Sequence, residues 1–555
     1  MTGLSSESGG HLSRLLAAGR HSEALASARA RLSASPLDGE ALAIAGAALL
    51  RLQQLQDADV MLHRALAVCG ANAWLYVQLG ILYASTHRHD QAETWFRSAV
   101  TLNPGNPDAP HNLGVLMLEL GRLGAAREAL EAAQRLNPDH APTLFNLGLL
   151  EARSERFAEA EQCFRRAIRL QPSFALAHFN LATALVHRGR ARDAERAFHD
   201  ALRCDPQHLA SLRSLATLLA DRGADAEAER HLRQALKIVP DELAIRFDLG
   251  SLLLRQGRYV DGWPYYESRE SPMPAPVITH RTDARLWQGE PLAGQSLLVV
   301  CDQGYGDQIQ FARYLPGLKE RGAGRLSLIG PAVLAPLLST IEGVDEFIPA
   351  EAEGHQGLYE RWCFLGSLPL RFGTTLASIP AKVPYLTPDP ERLRQWAPRL
   401  PGAGFRVGLV WKGSALHRND RFRSLPHFDT LKPLLGIPGL SLVSLQKGQA
   451  ETEMRGHQGV ADLGTQMLDF GDAAALLAQL DLLITVDTAM AHLAGAIGTP
   501  CWVLLPARNT DWRWLRERED TPWYPNSLRL FRQQRFEDWG AVVGRVVAAL
   551  NLHQP

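Results

Sequence analysis

The segment from Leu297 to Leu315, LLVVCDQGYGDQIQFARYL, places a carboxylate beside two glycines, directly after an apolar run. The run is typical of a buried strand, and a helical pattern follows it. A dinucleotide-binding turn would have a third glycine three positions after Gly306, where this chain has Ile309. Asp307 would also repel a pyrophosphate held at the helix start. The turn must therefore serve a purpose other than dinucleotide binding. Asp307 either has a chemical role there or is an ordinary helix cap.

A second segment, Asp481 to Pro500, reads DLLITVDTAMAHLAGAIGTP and predicts a strand that ends at Asp487 and turns into a helix. Backbone N–H groups at Thr488, Ala489 and Met490 would then be free to bind a phosphate. His492 follows about one turn into the helix. Ligands of open α/β sheets bind beyond the carboxyl ends of the strands. The segment is therefore a candidate phosphate site, with simple capping and a satisfied helix histidine as alternatives.

A third segment, residues 407–426 (VGLVWKGSALHRNDRFRSLP), predicts another strand followed by a glycine-containing basic loop. Lys412, Gly413 and Arg423 lie in this loop. A cationic loop beside a helix N-terminus would stabilise a departing diphosphate. A solvated charged surface is the alternative.

An aromatic loop follows, residues 507–526, with Trp512, Trp514 and Trp523. Exposed rings there would stack on a sugar or a base. We prefer a core position for at least one of the three.

The elements that must position these residues are those of an α/β fold. Apolar runs alternate with helical patterns, which predicts parallel sheets covered by helices. The predicted strands are 296–301, 325–329, 345–348, 405–411, 440–445, 481–486 and 500–505. A proline-rich break near 384–401 divides the region. We predict two Rossmann-like lobes that face one another across a cleft, an N-terminal lobe at 291–390 and a C-terminal lobe at 400–555.

The first half of the chain is an array with a period of 34 residues. Prolines recur at this interval from Pro104 to Pro240, and alanines and one large apolar residue recur with them. The large residues are Leu62, Phe96, Leu130, Phe164, Phe198 and Leu232. We expect small residues to let paired helices approach and the large ones to fill the groove between neighbouring repeats. The pattern resembles the tetratricopeptide repeat and predicts an α-solenoid over residues 1–270, followed by a linker at 271–290. The last unit, with Pro264 in its second helix, resembles a terminal cap.

A polar position recurs in the array at Asn112, Asn146 and Asn180. An amide both donates and accepts, so a ladder of amides would hold an extended acceptor chain with little regard to its sequence. The repeats of O-linked N-acetylglucosamine transferase look similar at this position. A capping or inter-repeat hydrogen bond is the alternative.

From Leu297 onward the chain resembles the heptosyltransferase family of GT-B glycosyltransferases. The resemblance lies in Gly306-Asp307, in Arg423-Ser424-Leu425-Pro426, and in the run from Asp487 to Ala494 (DTAMAHLA). The family's motif glycine is Ala489 here, and its usual lysine is Arg423. Repeats fused to such a domain resemble bacterial protein glycosyltransferases, including some that act on flagellin.

The resemblance implies an inverting transferase in which Asp307 is the catalytic base and a nucleotide-sugar is the co-substrate. The donor would be bound by Lys412, Gly413, Arg423, Asp487, Thr488, Ala489 and His492, and the acceptor protein by Asn112, Asn146 and Asn180. Because the α/β half has no D-x-D pair, we expect no obligatory metal and no cofactor.

Composition limits the alternatives. A formal net charge of −1 offers no global field for nucleic acid or an anionic membrane, and the six cysteines form no C-x-x-C pair. We see no signal peptide and no apolar run long enough to span a bilayer, so we expect a cytoplasmic protein. Two other functions stay open at this point: a repeat scaffold with a non-catalytic or ligand-sensing domain, and a transferase acting on a lipid-linked glycan.

Overall fold

The computed structural model describes residues 10–269, 284–351, 359–402, 404–417, 419–454 and 457–553. The chain divides into two compact units, Met1–Leu215 and Ala216–Pro555. The division falls inside the predicted array. Across the described parts of the chain, no helix is both long and apolar enough to cross a membrane.

The array is built from helices that pack in consecutive pairs, as the 34-residue period predicts. Proline and glycine between the pairs end each second helix, because proline has no N–H group for the helical ladder. The helices are α1 His11–Ala17, α2 His21–Ala34, α3 Gly39–Arg51, α4 Leu55–Cys69, α5 Ala73–Ser85, α6 His89–Leu102, α7 Asp108–Glu119, α8 Leu123–Leu136, α9 Ala141–Arg153, α10 Phe157–Leu170, α11 Ala175–His187, α12 Ala191–Cys204, α13 Leu209–Asp221, α14 Asp225–Ile238, α15 Leu243–Arg255 and α16 Tyr259–Tyr266.

The large apolar residue of each repeat packs within its own helix pair in the first unit. A Cβ added at Gly80 would lie 2.4 Å from the ring of Phe96, and one at Gly148 would lie 2.5 Å from the ring of Phe164. The first helix therefore needs a residue without a side chain where the second helix inserts its ring. The further expectation that these large residues fill the groove between neighbouring repeats stays a prediction.

The first α/β lobe is a five-stranded parallel sheet in the order β1-β5-β2-β3-β4. Its strands are β1 Arg285–Leu286, β2 Leu297–Val300, β3 Leu326–Gly330, β4 Glu346–Pro349 and β5 Arg361–Phe364, and its helices are α17 Tyr305–Phe311, α18 Leu315–Glu320, α19 Ala335–Leu338 and α20 Leu368–Arg371. The sheet therefore begins inside the segment predicted as a linker. The rest of that linker, up to residue 283, lies outside the described residues.

The second lobe is a six-stranded parallel sheet in the order β11-β10-β9-β6-β7-β8. Its strands are β6 Phe405–Val410, β7 Leu440–Ser444, β8 Val460–Asp462, β9 Leu482–Val486, β10 Cys501–Leu505 and β11 Leu528–Arg532. Its helices are α21 Pro390–Trp396, α22 Asp420–Arg423, α23 Phe470–Leu477, α24 Ala489–Ile497 and α25 Trp539–His553. All seven strands predicted from apolar runs are present, which confirms the predicted parallel α/β architecture.

The last helix pair belongs to the same compact unit as both sheets, and α16 shares their hydrophobic core. Tyr259, Trp263 and Tyr266 on α16 are each at most 2% exposed. A cap would present a polar outer face to water. The interpretation of this last unit as a terminal cap is therefore wrong, because its aromatic face is buried.

Candidate functional site

The two lobes meet where the helix after β2 approaches the helix after β9. A Cβ added at Gly306 would lie 2.7 Å from Cδ2 of His492 and 3.4 Å from Cα of Ala489. Gly306 is thus required by the close approach of α17 to α24. The carboxyl ends of β2 and β9 lie close together here, although the sequence pointed to them in two separate segments.

Asp307 lies in the first turn of α17 with both carboxylate oxygens engaged. Oδ2 accepts the backbone N–H of Gly304 at 3.0 Å, and Oδ1 accepts from the guanidinium of Arg513. The capping contact named as an alternative is therefore present. Burial raises the pKa of Asp307 above its usual range, and the charge of Arg513 opposes this rise. The side chain is still 22% exposed, so it is accessible from one side.

Arg513 is the most heavily bonded side chain of the site, and the sequence analysis missed it. It comes from the aromatic loop after β10 and is 5% exposed. Its guanidinium donates to both oxygens of Asp511, at 2.9 and 3.0 Å, to the amide oxygen of Gln310, and to the hydroxyl of Tyr266 at 3.4 Å. The arginine stood in the sequence between two tryptophans, but no spacing rule connects it to a carboxylate 206 residues away.

His492 lies one turn into α24 and is buried. Its Nδ1 shares a 2.9 Å hydrogen bond with the hydroxyl of Tyr524, and its ring stacks on Trp514 with 5.3 Å between centroids. Burial and the nearby arginines, Arg513 first, hold the pKa of His492 well below its ordinary value. The imidazole is therefore neutral at physiological pH, so it would meet a phosphate as a hydrogen-bonding group and not as a charge.

Asp487 follows β9 immediately. Burial, with the charge of Asp511, raises the pKa of Asp487 to about 6, while Arg423 and Arg513 act in the opposite direction. These charge effects place Asp487 and Arg423 in one electrostatic environment, as the sequence predicted.

Arg423 ends the short helix α22 and lies against Gly413. A Cβ at Gly413 would come within 2.7 Å of Nη2 of Arg423, so the glycine leaves room for the guanidinium. Arg423 is 3.5 Å from Asp420 and its side chain is 17% exposed. The structure thus brings Gly413 and Arg423 together, and the charge of Arg423 acts on both Asp487 and His492.

Lys412 has a different environment. Its ammonium group is 2.5 Å from Glu453, which also accepts from the indole of Trp411 at 2.9 Å and from the backbone of Phe428 at 2.8 Å. Its positive charge is therefore already compensated. Donor binding by Lys412 stays a prediction, since this ion pair would have to rearrange.

The phosphate-binding amides predicted at Thr488 and Ala489 lie at the start of α24. Thr488 is the N-cap residue, yet its side chain makes no capping hydrogen bond and pairs with the hydroxyl of Thr485 at 3.1 Å. The helix start is therefore not capped by its own side chain. This leaves the position available to an anion.

All three tryptophans of the aromatic loop are buried: Trp512 at 4%, Trp514 at 0% and Trp523 at 0% exposure. The preference for a core position is confirmed for each of them. Stacking of a sugar or base on these rings is excluded by the same burial.

The three asparagines of the array make one repeated contact in the first unit. The side-chain amides of Asn112, Asn146 and Asn180 donate to the carbonyl four residues earlier in their own helices, at 2.8, 3.0 and 2.8 Å. This differs from the capping and inter-repeat bonds considered above. The contact uses one N–H of each amide.

Comparison with known proteins agrees with this architecture. Segments 77–141, 111–173, 145–208, 179–242 and 213–272 match the tetratricopeptide repeat, and residues 450–508 match glycosyltransferase family 9 (heptosyltransferase). The second match includes Asp487 and His492 but not Asp307. The chain is a tetratricopeptide-repeat protein with a glycosyltransferase-like C-terminal domain.

A curated relative is Protein FlbA of Caulobacter vibrioides, which is 32% identical over 324 residues, covering 54% of this chain and 53% of that protein. The match thus spans about half the length of the relative. Among solved structures, the Cut9–Hcn1 hetero-tetramer of the APC/C is 20% identical over 44% of this chain and 48% of that chain, with a TM-score of 0.41. PilF of Pseudomonas aeruginosa is 20% identical over 38% of this chain and 95% of that chain, with a TM-score of 0.35.

Proposed function

We propose that the protein is an inverting glycosyltransferase that moves a sugar from a nucleotide-sugar to a protein held by the repeats. One observation supports this most. Asp307, at the carboxyl end of β2, lies beside the start of α24, at the carboxyl end of β9. Arg513 bonds Asp307, and the charges of Arg423 and Arg513 both act on Asp487, just before α24. A base, an anion-binding helix start and cations are the groups that sugar transfer from a nucleotide needs.

The donor would bind through its phosphates. Backbone N–H groups at residues 488–490 would donate hydrogen bonds to phosphate oxygens, and Arg423 would neutralise the charge that develops as the nucleotide leaves. Neutral His492 would add a hydrogen bond. Asp487 and Thr488 lie within the segment that matches glycosyltransferase family 9, which supports the same assignment. Lys412 and Gly413 are assigned to the donor only because they share the basic loop with Arg423.

The reaction would proceed in one displacement. The acceptor hydroxyl attacks the anomeric carbon, its proton passes to Asp307, and the bond from that carbon to the phosphate oxygen breaks. The nucleoside phosphate departs with the electron pair. Direct attack inverts the anomeric centre, and general-base assistance contributes about 10²- to 10⁴-fold.

The acceptor would be a protein chain, with flagellin as one candidate. The amide oxygens of Asn112, Asn146 and Asn180 would accept N–H groups of an extended segment. Because these amides recur once per repeat and bind main-chain groups, they would recognise the backbone of the acceptor and not its side chains.

Donor binding is tested by calorimetry of the full chain against UDP, GDP, ADP, CMP and dTDP in EDTA. We expect one nucleotide to bind, and Arg423→Ala to weaken it about 10- to 100-fold, since a charged hydrogen bond contributes about 1.5–3 kcal/mol. Arg421→Ala, in the exposed neighbour, is the matched control.

Metal independence is decided in the same experiment. Among the described residues, no group of three His, Cys, Asp or Glu could hold a metal ion, but this leaves metal independence a prediction. Binding that requires magnesium or manganese would refute it and leave the transferase assignment intact.

Intact-mass analysis of proteins from cells with and without this chain tests the acceptor. A fixed mass increment on one protein identifies sugar and acceptor together. Absence of both nucleotide binding and any increment would favour the scaffold alternative.

A further inference from the structure

Arg513 is held in one orientation by partners from three different parts of the second unit. Asp511 precedes it in its own loop, Gln310 and Asp307 lie on α17, and Tyr266 lies on the last repeat helix. An arginine fork bonded on all sides loses its rotational freedom once, when the protein folds. It is therefore preorganised toward Asp307 before any substrate arrives.

The helix that carries Tyr266 is itself anchored to the α/β lobes. The indole N–H of Trp263 donates to the carbonyl of Thr374 at 2.9 Å, and the indole of Trp523 donates to the hydroxyl of Tyr259 at 2.9 Å. Three residues after Tyr266, Arg269 forms a 2.7 Å buried ion pair with Asp302.

The ion pair between Arg269 and Asp302 also anchors the turn that carries Asp307. Asp302 lies five residues before Asp307, in the turn after β2, and also accepts the backbone N–H of Gly366 at 2.8 Å. Both ends of the turn that carries Asp307 are therefore tied to residues at the end of the array: Asp302 through Arg269, and Asp307 through Arg513 and Tyr266.

Tyr266 occupies the position that holds a large apolar residue in the six preceding repeats, from Leu62 to Leu232. Its ring packs on Phe247 at 5.5 Å, just as Phe164 packs on Phe145 at 5.8 Å. Packing is thus satisfied by the ring alone. The hydroxyl is an addition at this repeat, and it accepts from the guanidinium of Arg513.

We propose that Arg513 and Tyr266 are positioning residues for the carboxylate of Asp307, so that the last repeat is a working part of the transferase site. Arg513 orients Oδ1 and opposes the negative charges around it, and Tyr266 holds the guanidinium in place. This inference rests on the proposed function, in which Asp307 is the base.

The electrostatic consequence follows from the groups that face Asp307. These are Arg513, the carboxylates of Asp511 and Asp302, and the N–H of Gly304. Without Arg513, the two carboxylates and burial would act on Asp307 unopposed, and its pKa would rise. A base must be ionised to accept a proton, so the acid limb of the pH–rate profile would move to higher pH.

The test measures nucleotide release, with water as acceptor, from sugars linked to UDP, GDP, ADP, CMP and dTDP, together with nucleotide affinity. We expect Arg513→Met to lower the rate about 10- to 100-fold, to move the acid limb upward by about one pH unit, and to change affinity less than twofold. Arg513→Lys should restore part of the rate and most of the pH profile. Tyr266→Phe should lower the rate a fewfold, about 3-fold.

Matched controls are Arg518→Met, in an exposed arginine of the same loop, and Tyr265→Phe, in the neighbouring tyrosine. Both should behave as wild type. An unchanged rate, or a lower rate with an unmoved acid limb in Arg513→Met, would overturn the inference while the transferase assignment stands.

A second readout needs no catalysis. Carbodiimide coupling of glycine ethyl ester to carboxyls, read by mass spectrometry, should label Asp307 severalfold faster in Arg513→Met than in wild type, with exposed Asp520 as internal reference. Equal labelling would show that Arg513 does not hold Asp307. If the wild-type protein neither binds nor cleaves any donor, the proposed function fails. The labelling rates then still test whether Arg513 holds Asp307.

Discussion

The same repeat position is used in two ways in this protein. In the first unit Phe96 and Phe164 insert their rings against a glycine of the paired helix, and nothing but van der Waals contact is involved. In the second unit Tyr266 keeps the ring packing and adds a hydroxyl bonded to a buried arginine. The position that contributes only packing in the earlier repeats therefore contributes a hydrogen bond to a charged site in the last repeat.

The comparison separates two kinds of residue. Apolar ring positions in the first unit set stability, because their removal leaves a cavity. The charged residues at the centre of the second unit set the orientation and ionisation of Asp307. Substitutions in the two regions should therefore change different measurements, and each prediction below tests that separation.

The largest effect is expected for Asp307→Asn. Loss of the base should reduce transfer about 10²- to 10⁴-fold and leave nucleotide affinity unchanged, because the chemical step alone is affected. The amide oxygen can still accept from Arg513, and Asp511 still balances its charge, so the loss of stability should be limited to the capping bond with Gly304, about 0.5–1.5 kcal/mol. Asp520→Asn, in an exposed carboxylate, is the control. Lost nucleotide affinity in Asp307→Asn would make this residue structural.

Phe164→Ala should show the opposite pattern. Removal of a fully buried ring is expected to lower the free energy of unfolding of the first unit by about 3–5 kcal/mol. Nucleotide affinity, measured below the unfolding transition, should stay at the wild-type value. Leu170→Ala, at a side chain 43% exposed, controls for loss of volume without burial. Weaker nucleotide binding in folded Phe164→Ala would break the separation.

The triple variant Asn112→Ala, Asn146→Ala, Asn180→Ala tests a binding role in the packing region. Each amide contributes about 0.5–1.5 kcal/mol net to a bound backbone, so acceptor affinity should fall about 10- to 100-fold. The intrahelical bonds seen here predict little change in melting temperature. Transfer to a short peptide or free sugar, which bypasses the array, should persist. Unchanged modification of the protein acceptor by a folded variant would exclude the amide ladder.

The smallest effect concerns pH. The pKa of Asp487 is about 6 in the folded protein and about 3.9 in an unfolded chain, so folding favours its protonated form. The contribution of Asp487 to the free energy of unfolding therefore rises as the pH falls from above 6 toward 4.

Asp487→Asn should remove that dependence and raise the free energy of unfolding at pH 7 by about 2 kcal/mol, with little gain at pH 4. Denaturant titrations at both pH values measure it, with exposed Glu517→Gln as control. An equal gain at both pH values would show that titration of Asp487 is not the cause.

Period and residue type were enough to predict the repeats and most strands. Runs such as Leu482–Val486 are apolar at every position except Thr485, which is typical of a strand buried in a sheet that is covered on both faces. The shorter or charged strands were missed: Arg361–Phe364 and Leu528–Arg532 each contain arginine. Their strand conformation depends on pairing with a neighbour already in place.

Local motifs also singled out Asp307, Arg423 and His492 for one site, because ligands of parallel sheets bind at the carboxyl ends of strands. Their roles in that site stay predictions. Tertiary structure alone decided the rest. Arg513 reaches Asp307 across 206 residues, and Tyr266 reaches Arg513 across 247. Contacts at such separation leave no periodic trace in the chain, since each partner obeys only the pattern of its own helix or loop. Because Arg513 and Tyr266 are buried beside Asp307, their side chains can hold this candidate base in place.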